Sequence, residues 1–236
     1  MKKAVLVKGM GNGRPVPLGV TLGILKRLLL SVASFRSSIL RYPPPWSDLV
    51  GCEVLLAWLK TKRIGELDGD VVEIGSFLGG GTAKLARFFG RYNKKVFAID
   101  VFDPSFDHTT NEAGNSMSSL YAQFLRGRNQ EDVFRENTRR YHNIVVLKGD
   151  SKQATLPCQE ICFSFIDGCH DPDYVKNDFL LVWDKTVRGG VVGFHDYGGN
   201  LPQTTRAIDE LIEANREGIR EISRIEGKWI VLLTRK

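Results

Sequence analysis

Acidic residues are missing from the first 45 positions, and no stretch stays apolar and uncharged for the length of a membrane span. Lys2, Lys3, Lys8, Arg14, Lys26, Arg27, Arg36 and Arg41 give that opening segment eight positive charges. The whole chain carries +6, so the remaining residues are slightly negative. The part that bears the polar motifs is therefore not basic, and it has no groove of interleaved aromatics and cations. That argues against a nucleic-acid partner. Lys26 and Arg27 interrupt the apolar run Leu18–Leu40, which excludes a convincing membrane span. No small-residue cleavage site follows it, so it is not read as a secretory signal. Cysteine is scarce as well. Cys52, Cys158, Cys162 and Cys169 show no CxxC spacing, which excludes a disulfide framework. They read as reduced thiols of an intracellular, cytoplasmic protein. Cys158, Cys162 and Cys169 lie near enough in sequence to hold a metal. Because Cys162 stands inside an apolar run, buried thiols are the stronger reading.

What is present is alternation. At 236 residues the chain suffices for one full α/β domain. The apolar runs Val71–Ile74, Val96–Ile99, Ile144–Leu147, Ile161–Ile166 and Gly190–Phe194 predict strands. Helical periodicity lies between them, over Ala83–Arg91, around Ser118–Tyr141 and over Tyr174–Val187. Strands that are apolar on both faces, each followed by a helix, predict a parallel sheet with helices on both faces. A helix over Gln203–Arg216 precedes Ile219–Ile225 and Trp229–Leu233, which flank Glu226-Gly227-Lys228. That short turn predicts a C-terminal antiparallel hairpin. The expectation is a Rossmann-like, seven-stranded, mostly parallel sheet. It occupies residues 46–236, starts with a helix over Trp46–Lys62 capped by Ser47, and carries an insertion at about 103–142. The insertion follows from the span between Asp100 and Ile144, which is too long for an ordinary connection and reads as a lid over the sheet edge. Residues 1–45 read as a basic arm followed by an amphipathic helix. That helix packs on its own domain, joins two copies of the chain, or lies on an anionic membrane surface.

In open α/β sheets ligands bind at the carboxyl ends of the strands. Here each of the five ends carries polar groups: Glu73 with Gly75, Asp100, Gly149-Asp150-Ser151, Asp167 with His170, and His195-Asp196. The first end opens into Gly79-Gly80-Gly81, where a strand breaks through glycines into a helix N-terminus, the turn that receives a nucleotide cofactor. Asp100 stands twenty-five positions after Gly75, where an acid accepts both hydroxyls of an adenosine ribose. The dinucleotide pattern G-x-G-x-x-G is not met, because Phe77 occupies the place of its second glycine. This leans away from a nicotinamide cofactor, although a nicotinamide-dependent oxidoreductase remains the alternative.

The successive segments VVEIGSFLGGGT, VFAIDVFD, VVLKGDS, FSFIDGCHDPDYVKNDF and RGGVVGFHDYG resemble the motifs of class I S-adenosylmethionine (SAM)-dependent methyltransferases. The resemblance is nearest to the metal-dependent branch that includes macrocin O-methyltransferase and its fold relatives, the cephalosporin hydroxylases. It implies that Glu73, Gly75, Ser76 and Gly79 line the methionine and ribose side, and that Asp100 holds the ribose. Asp150 and Ser151 would sit by the adenine, with Asp167 bordering the cofactor. Asp167 and Asp196 would bind a divalent metal, and His170 would be the general base. The implied reaction is metal-assisted methyl transfer to a hydroxyl of a sugar, a glycosylated natural product or a polysaccharide.

That chemistry suits these residue types. The sulfonium donor is already activated, so the protein must align a hydroxyl and take its proton. Two carboxylates on adjacent strand ends can grip a hard cation, Mg²⁺ in the first place. His195, beside Asp196, departs from the family, which more often has an acid there. As a third ligand its imidazole tilts preference towards Mn²⁺ or Fe²⁺. It also leaves open a metal-dependent, hydroxylase-like alternative built on His170, His195 and one aspartate.

Overall fold

The computed structural model describes residues 47–236; the arm and helix expected over 1–45 lie outside the described residues. One seven-stranded sheet runs in the order β3-β2-β1-β4-β5-β7-β6. Its strands are β1 (Asp70–Ile74), β2 (Val96–Asp100), β3 (Ile144–Lys148), β4 (Ile161–Ile166), β5 (Thr186–Phe194), β6 (Ile219–Ile225) and β7 (Ile230–Arg235). The first five pair in parallel, and β7 runs antiparallel to both β5 and β6. The chain winds outward from β1 to β3 and then returns to β4 beside β1. The neighbours β1 and β4 therefore diverge above their carboxyl ends and open a crevice there.

Alternating residues of the strands feed two cores. Val72, Ile74, Phe97, Ile99, Val192 and Phe194 face one side. There they meet Phe179 and Val182 of α5 (Pro172–Trp183) and Ile208 and Leu211 of α6 (Pro202–Ala214). Val71, Val96, Phe163, Phe165 and Leu232 face the other side. They bury Leu55 and Leu59 of α1 (Cys52–Thr61) and Leu85 and Phe89 of α2 (Gly80–Phe89). Phe89 stacks on Phe163 with centroids 5.9 Å apart. Each such ring contributes about 1.5–3 kcal/mol by leaving water.

Three elements differ from expectation. The first helix starts at Cys52 and is not capped by Ser47. Gly51 turns the chain in the left-handed region (φ 73), and Asp48 accepts the N–H groups of Gly51 and Cys52 at 3.0 and 2.9 Å. The helical stretch around 118–141 is two helices, α3 (Met117–Leu125) and α4 (Gln130–Thr138). Arg126 and Gly127 adopt φ 50 and 77 between them, and Asn129 caps α4. Finally, α5 begins at Pro172 because Asp171 caps it, and it ends at Trp183, so that Thr186 and Val187 belong to β5. Among the described residues no helix is long and apolar enough to cross a membrane.

Candidate functional site

A cleft of about 210 Å³ opens over the carboxyl ends of β1, β2, β4 and β5, roofed by residues 101–130 and closed at one side by 47–52. Its floor depends on Gly75, whose φ is +84 and whose added Cβ would stand 2.0 Å from the Asp167 carbonyl oxygen. Only a residue without a side chain lets the ends of β1 and β4 come this close. Next to it, Glu73 is buried and accepts a hydrogen bond from the Thr82 hydroxyl in the first turn of α2. Burial, with Asp167 and Asp48 nearby, pushes its carboxyl up to about 8.

Asp100 ties two loops together. Its Oδ2 accepts the Phe77 N–H at 2.8 Å. Its Oδ1 accepts the Phe102 N–H at 2.7 Å and Gln130 Nε2 at 3.2 Å. Phe77 and Phe102 both sit at positive φ, 45 and 54, a conformation side chains resist. The carboxylate thus holds the strained backbone on both sides of the cleft. Burial raises Asp100 to about 6, and those N–H donors keep it from rising further. Gln130 presents Nε2 to the acceptors Asp100 Oδ1 and Phe77 O, which fixes its amide orientation and leaves Oε1 without a partner. Ser76 Oγ and Asp178 Oδ2 are likewise buried without a partner. All three residues border the cleft.

The charged centre lies at the ends of β4 and β5. His170 is 4% exposed, with Nδ1 at 2.6 Å from Asp107 Oδ2 and Nε2 at 2.8 Å from Asp196 Oδ2. His195 Nδ1 is 2.9 Å from the same Asp196 oxygen and 3.1 Å from Asp167 Oδ1. Burial alone would lower both imidazoles, but the adjoining carboxylates raise each to about 10. Burial would likewise raise Asp196, yet its two imidazole partners hold it far below the usual carboxylate range. Asp196 itself sits at φ 58, a strained backbone of the kind found at working sites. Asp167, His170 and Asp196 each offer one ligand atom, all within 4.8 Å of one another. Two carboxylates with one or two imidazoles fit a divalent cation, and the nitrogen donors suit a transition metal as well as Mg²⁺.

Of the residues singled out from sequence, Glu73, Gly75, Ser76, Asp100, Ser151, Asp167, His170, His195 and Asp196 all line this cleft. Gly79 and Asp150 do not. Gly79 lies against Phe134 and Thr138. Asp150 caps the turn at 151–153 and accepts the Tyr174 hydroxyl at 3.1 Å. Asp171, next to His170 in the chain, is spent on capping α5. Asp107, Gln130 and Asp178 were not foreseen. Asp178 left a signal, since it interrupts the apolar stripe Val175, Phe179 and Val182 of α5. Asp107 left none, because the insertion has no period to depart from. The four cysteines are free thiols, with Cys52, Cys158 and Cys162 buried.

The family described as a methyltransferase domain matches residues 72–197. Among solved structures the fold is similar to the O-methyltransferase NovP, at 22% identity and a TM-score of 0.61, covering 80% of this chain and 81% of that one. It is also similar to CalS11, a TDP-rhamnose 3'-O-methyltransferase of calicheamicin biosynthesis, at 13% identity and TM-score 0.53 over 77% of each chain. A third is SMU.1697c of Streptococcus mutans in complex with SAH, at 11% identity and TM-score 0.51 over 78% of this chain and 97% of that one. Among curated proteins none matches this sequence.

Proposed function

The chain belongs to the methyltransferase-domain family, and from that premise we propose that it transfers a methyl group from SAM to a hydroxyl of a sugar, a glycosylated natural product or a polysaccharide, assisted by a divalent cation. The observation that carries this reading is the charged centre at the ends of β4 and β5. It faces the same cleft as the glycine turn and Asp100, so donor and acceptor groups share one space. The partnerless Ser76 Oγ, Gln130 Oε1 and Asp178 Oδ2 on its wall support a polar ligand beside them.

In methyl transfer the acceptor oxygen bonds to the methyl carbon as the sulfur–carbon bond breaks. The sulfonium becomes a neutral thioether, and the hydroxyl proton must leave. SAM supplies the activated methyl, and a divalent cation, when bound, supplies positive charge beside the developing alkoxide. Asp167 and Asp196, with His195 or His170, would hold that cation. Glu73 and Ser76 border the methionine end, and Asp100 keeps the loops that enclose the ribose in place. His170 takes up a proton only after the charge of Asp196 is neutralised, since its two carboxylate partners otherwise keep it protonated.

Asp167→Ala and Asp196→Ala are expected to abolish metal-stimulated methyl transfer while changing S-adenosylhomocysteine affinity by less than about threefold. Asp100→Ala is expected to weaken that affinity by about tenfold or more, the effect of losing one or two charge-assisted bonds. Calorimetry and transfer of labelled methyl, with and without Mg²⁺ or Mn²⁺ after chelation, measure both. Equal loss of cofactor affinity in all three variants contradicts the division of roles. The pairing of two imidazoles on Asp196 favours one other reading, an iron-dependent hydroxylase-like enzyme. Iron-dependent oxygen uptake without SAM would decide for it.

A further inference from the structure

Asp178 is a buried carboxyl that the roles assigned above leave unused. It stands on α5 where the apolar stripe Val175, Phe179 and Val182 would accept an aliphatic side chain. It is 1% exposed and yet borders the cleft. Its Oδ1 accepts Asn177 Nδ2 at 3.1 Å, while its Oδ2 is buried without a partner. Burial raises the carboxyl to about 6, and Ser151 and Asn177 keep it from rising further, although neither reaches Oδ2 with hydrogen-bond geometry. Gly168, directly after Asp167, faces this oxygen, since a Cβ added there would stand 3.2 Å from it. A buried acceptor left open costs stability, and a donor brought by a ligand would relieve that cost.

We infer that Asp178 holds the exocyclic amine of the cofactor's adenine and so makes the site specific for an adenosyl group over a nucleoside without that amine. The inference rests on the methyl-transfer reading and assigns one further contact within it. Strand order gives the direction of the ligand. Glu73 and the glycine turn stand at the end of β1 and Asp100 at the end of β2. A cofactor with its amino acid at the first and its ribose at the second carries its base towards the end of β3. Gly149 and Ser151 stand there and border the cleft, with the Gly149 N–H on the Asp100 carbonyl at 2.9 Å. Asp178 comes to the same end from α5, beside Ser151. Asp150, the acid that the β3 end itself offers, is taken by the Lys152 N–H at 2.9 Å and the Tyr174 hydroxyl at 3.1 Å. Along the edge of adenine the 6-amine donates and the ring nitrogens accept. An ionised carboxylate only accepts, so the amine is the group of that base it can hold. A 6-oxo purine would set oxygen against oxygen.

Calorimetry on the full chain at pH 8, where a carboxyl titrating near about 6 is ionised, compares three compounds. They are S-adenosylhomocysteine, its analogue with unsubstituted purine in place of adenine, and S-inosylhomocysteine. The wild type is expected to bind the purine analogue about tenfold or more weakly than S-adenosylhomocysteine, the loss of one charge-assisted bond. The inosyl compound should bind more weakly still, because its oxygen meets the carboxylate. Asp178→Leu continues the apolar stripe of α5 and removes the acceptor. It is expected to bring S-adenosylhomocysteine and the purine analogue within about threefold of each other. Asp178→Asn can turn its amide N–H to a 6-oxo group, so the inosyl compound should gain on S-adenosylhomocysteine. Equal binding of S-adenosylhomocysteine and the purine analogue by the wild type overturns the inference, whichever variants fold. So does a discrimination ratio in folded Asp178→Leu that stays at the wild-type value, which would make the residue structural only. Tight binding of S-adenosylhomocysteine without discrimination removes the role of Asp178 and leaves methyl transfer standing. A wild type that binds none of the three refutes both.

Discussion

Glu73 illustrates how one residue links fold, site and pH. A glutamate in the unfolded chain ionises near about 4.3, whereas burial holds this one up to about 8. Between those values the unfolded state gives up a proton that the folded state keeps, so stability falls as pH rises and levels off above about 8. Glu73→Gln keeps the carbonyl acceptor for Thr82 and removes the titration. Urea unfolding from pH 5 to 9 is expected to show a declining midpoint for the wild type and a flatter one for the variant. Parallel curves would show that Glu73 is already ionised in the folded protein. A bound sulfonium amino acid would favour the ionised form, so cofactor binding and proton release at this residue are coupled in the same direction.

At the scale of elements, the site is a meeting of strand ends, and Gly75 is what allows β1 and β4 to meet. Gly75→Ala places a methyl group on the Asp167 carbonyl and forces a left-handed conformation on a side-chain-bearing residue. That conformation alone costs roughly 1–2 kcal/mol. Gly114→Ala is the control, because its φ of +77 imposes the same strain with nothing within 4 Å. Calorimetric melting is expected to fall by about 2–8 °C for Gly114→Ala, at about 2–4 °C per kcal/mol. For Gly75→Ala it should fall further, with loss of S-adenosylhomocysteine binding. Equal shifts would mean that the strand ends spread without cost. The insertion contributes at this scale too, since α4 brings Gln130 to Asp100 and the loop before α3 brings Asp107 to His170.

At the scale of the described residues, the C-terminal hairpin flanks β5, the strand that leads to His195 and Asp196. Strand β7 is threaded between β5 and β6, and Leu232 fits against Gly193, where an added Cβ would come within 2.8 Å of it. Two residues beyond Gly193, β5 delivers His195 and Asp196. Leu232→Ala leaves a cavity in the core on the α1 and α2 side of the sheet and is expected to cost about 2–5 kcal/mol. Guanidinium unfolding measures this, and a loss under about 1 kcal/mol would show that the hairpin is only loosely joined to the parallel core.

The sequence by itself determined the architecture: the strand order along the chain, the helices on both faces, the antiparallel ending and the row of polar groups at the strand ends. These are legible because apolar periodicity and glycine breaks are local, and five of them in succession admit few topologies. Two helix starts and the break at Arg126-Gly127 escaped because Asp48, Asn129 and Asp171 compete as caps within a few residues of other candidates. Only the tertiary structure decided which acid meets which imidazole, and that Asp100 is engaged by two backbone N–H groups and Gln130. Asp107 and His170 are 63 positions apart yet 2.6 Å in contact. Hydrogen bonds and charge balance depend on such distances between remote segments, and no pattern along the chain encodes them.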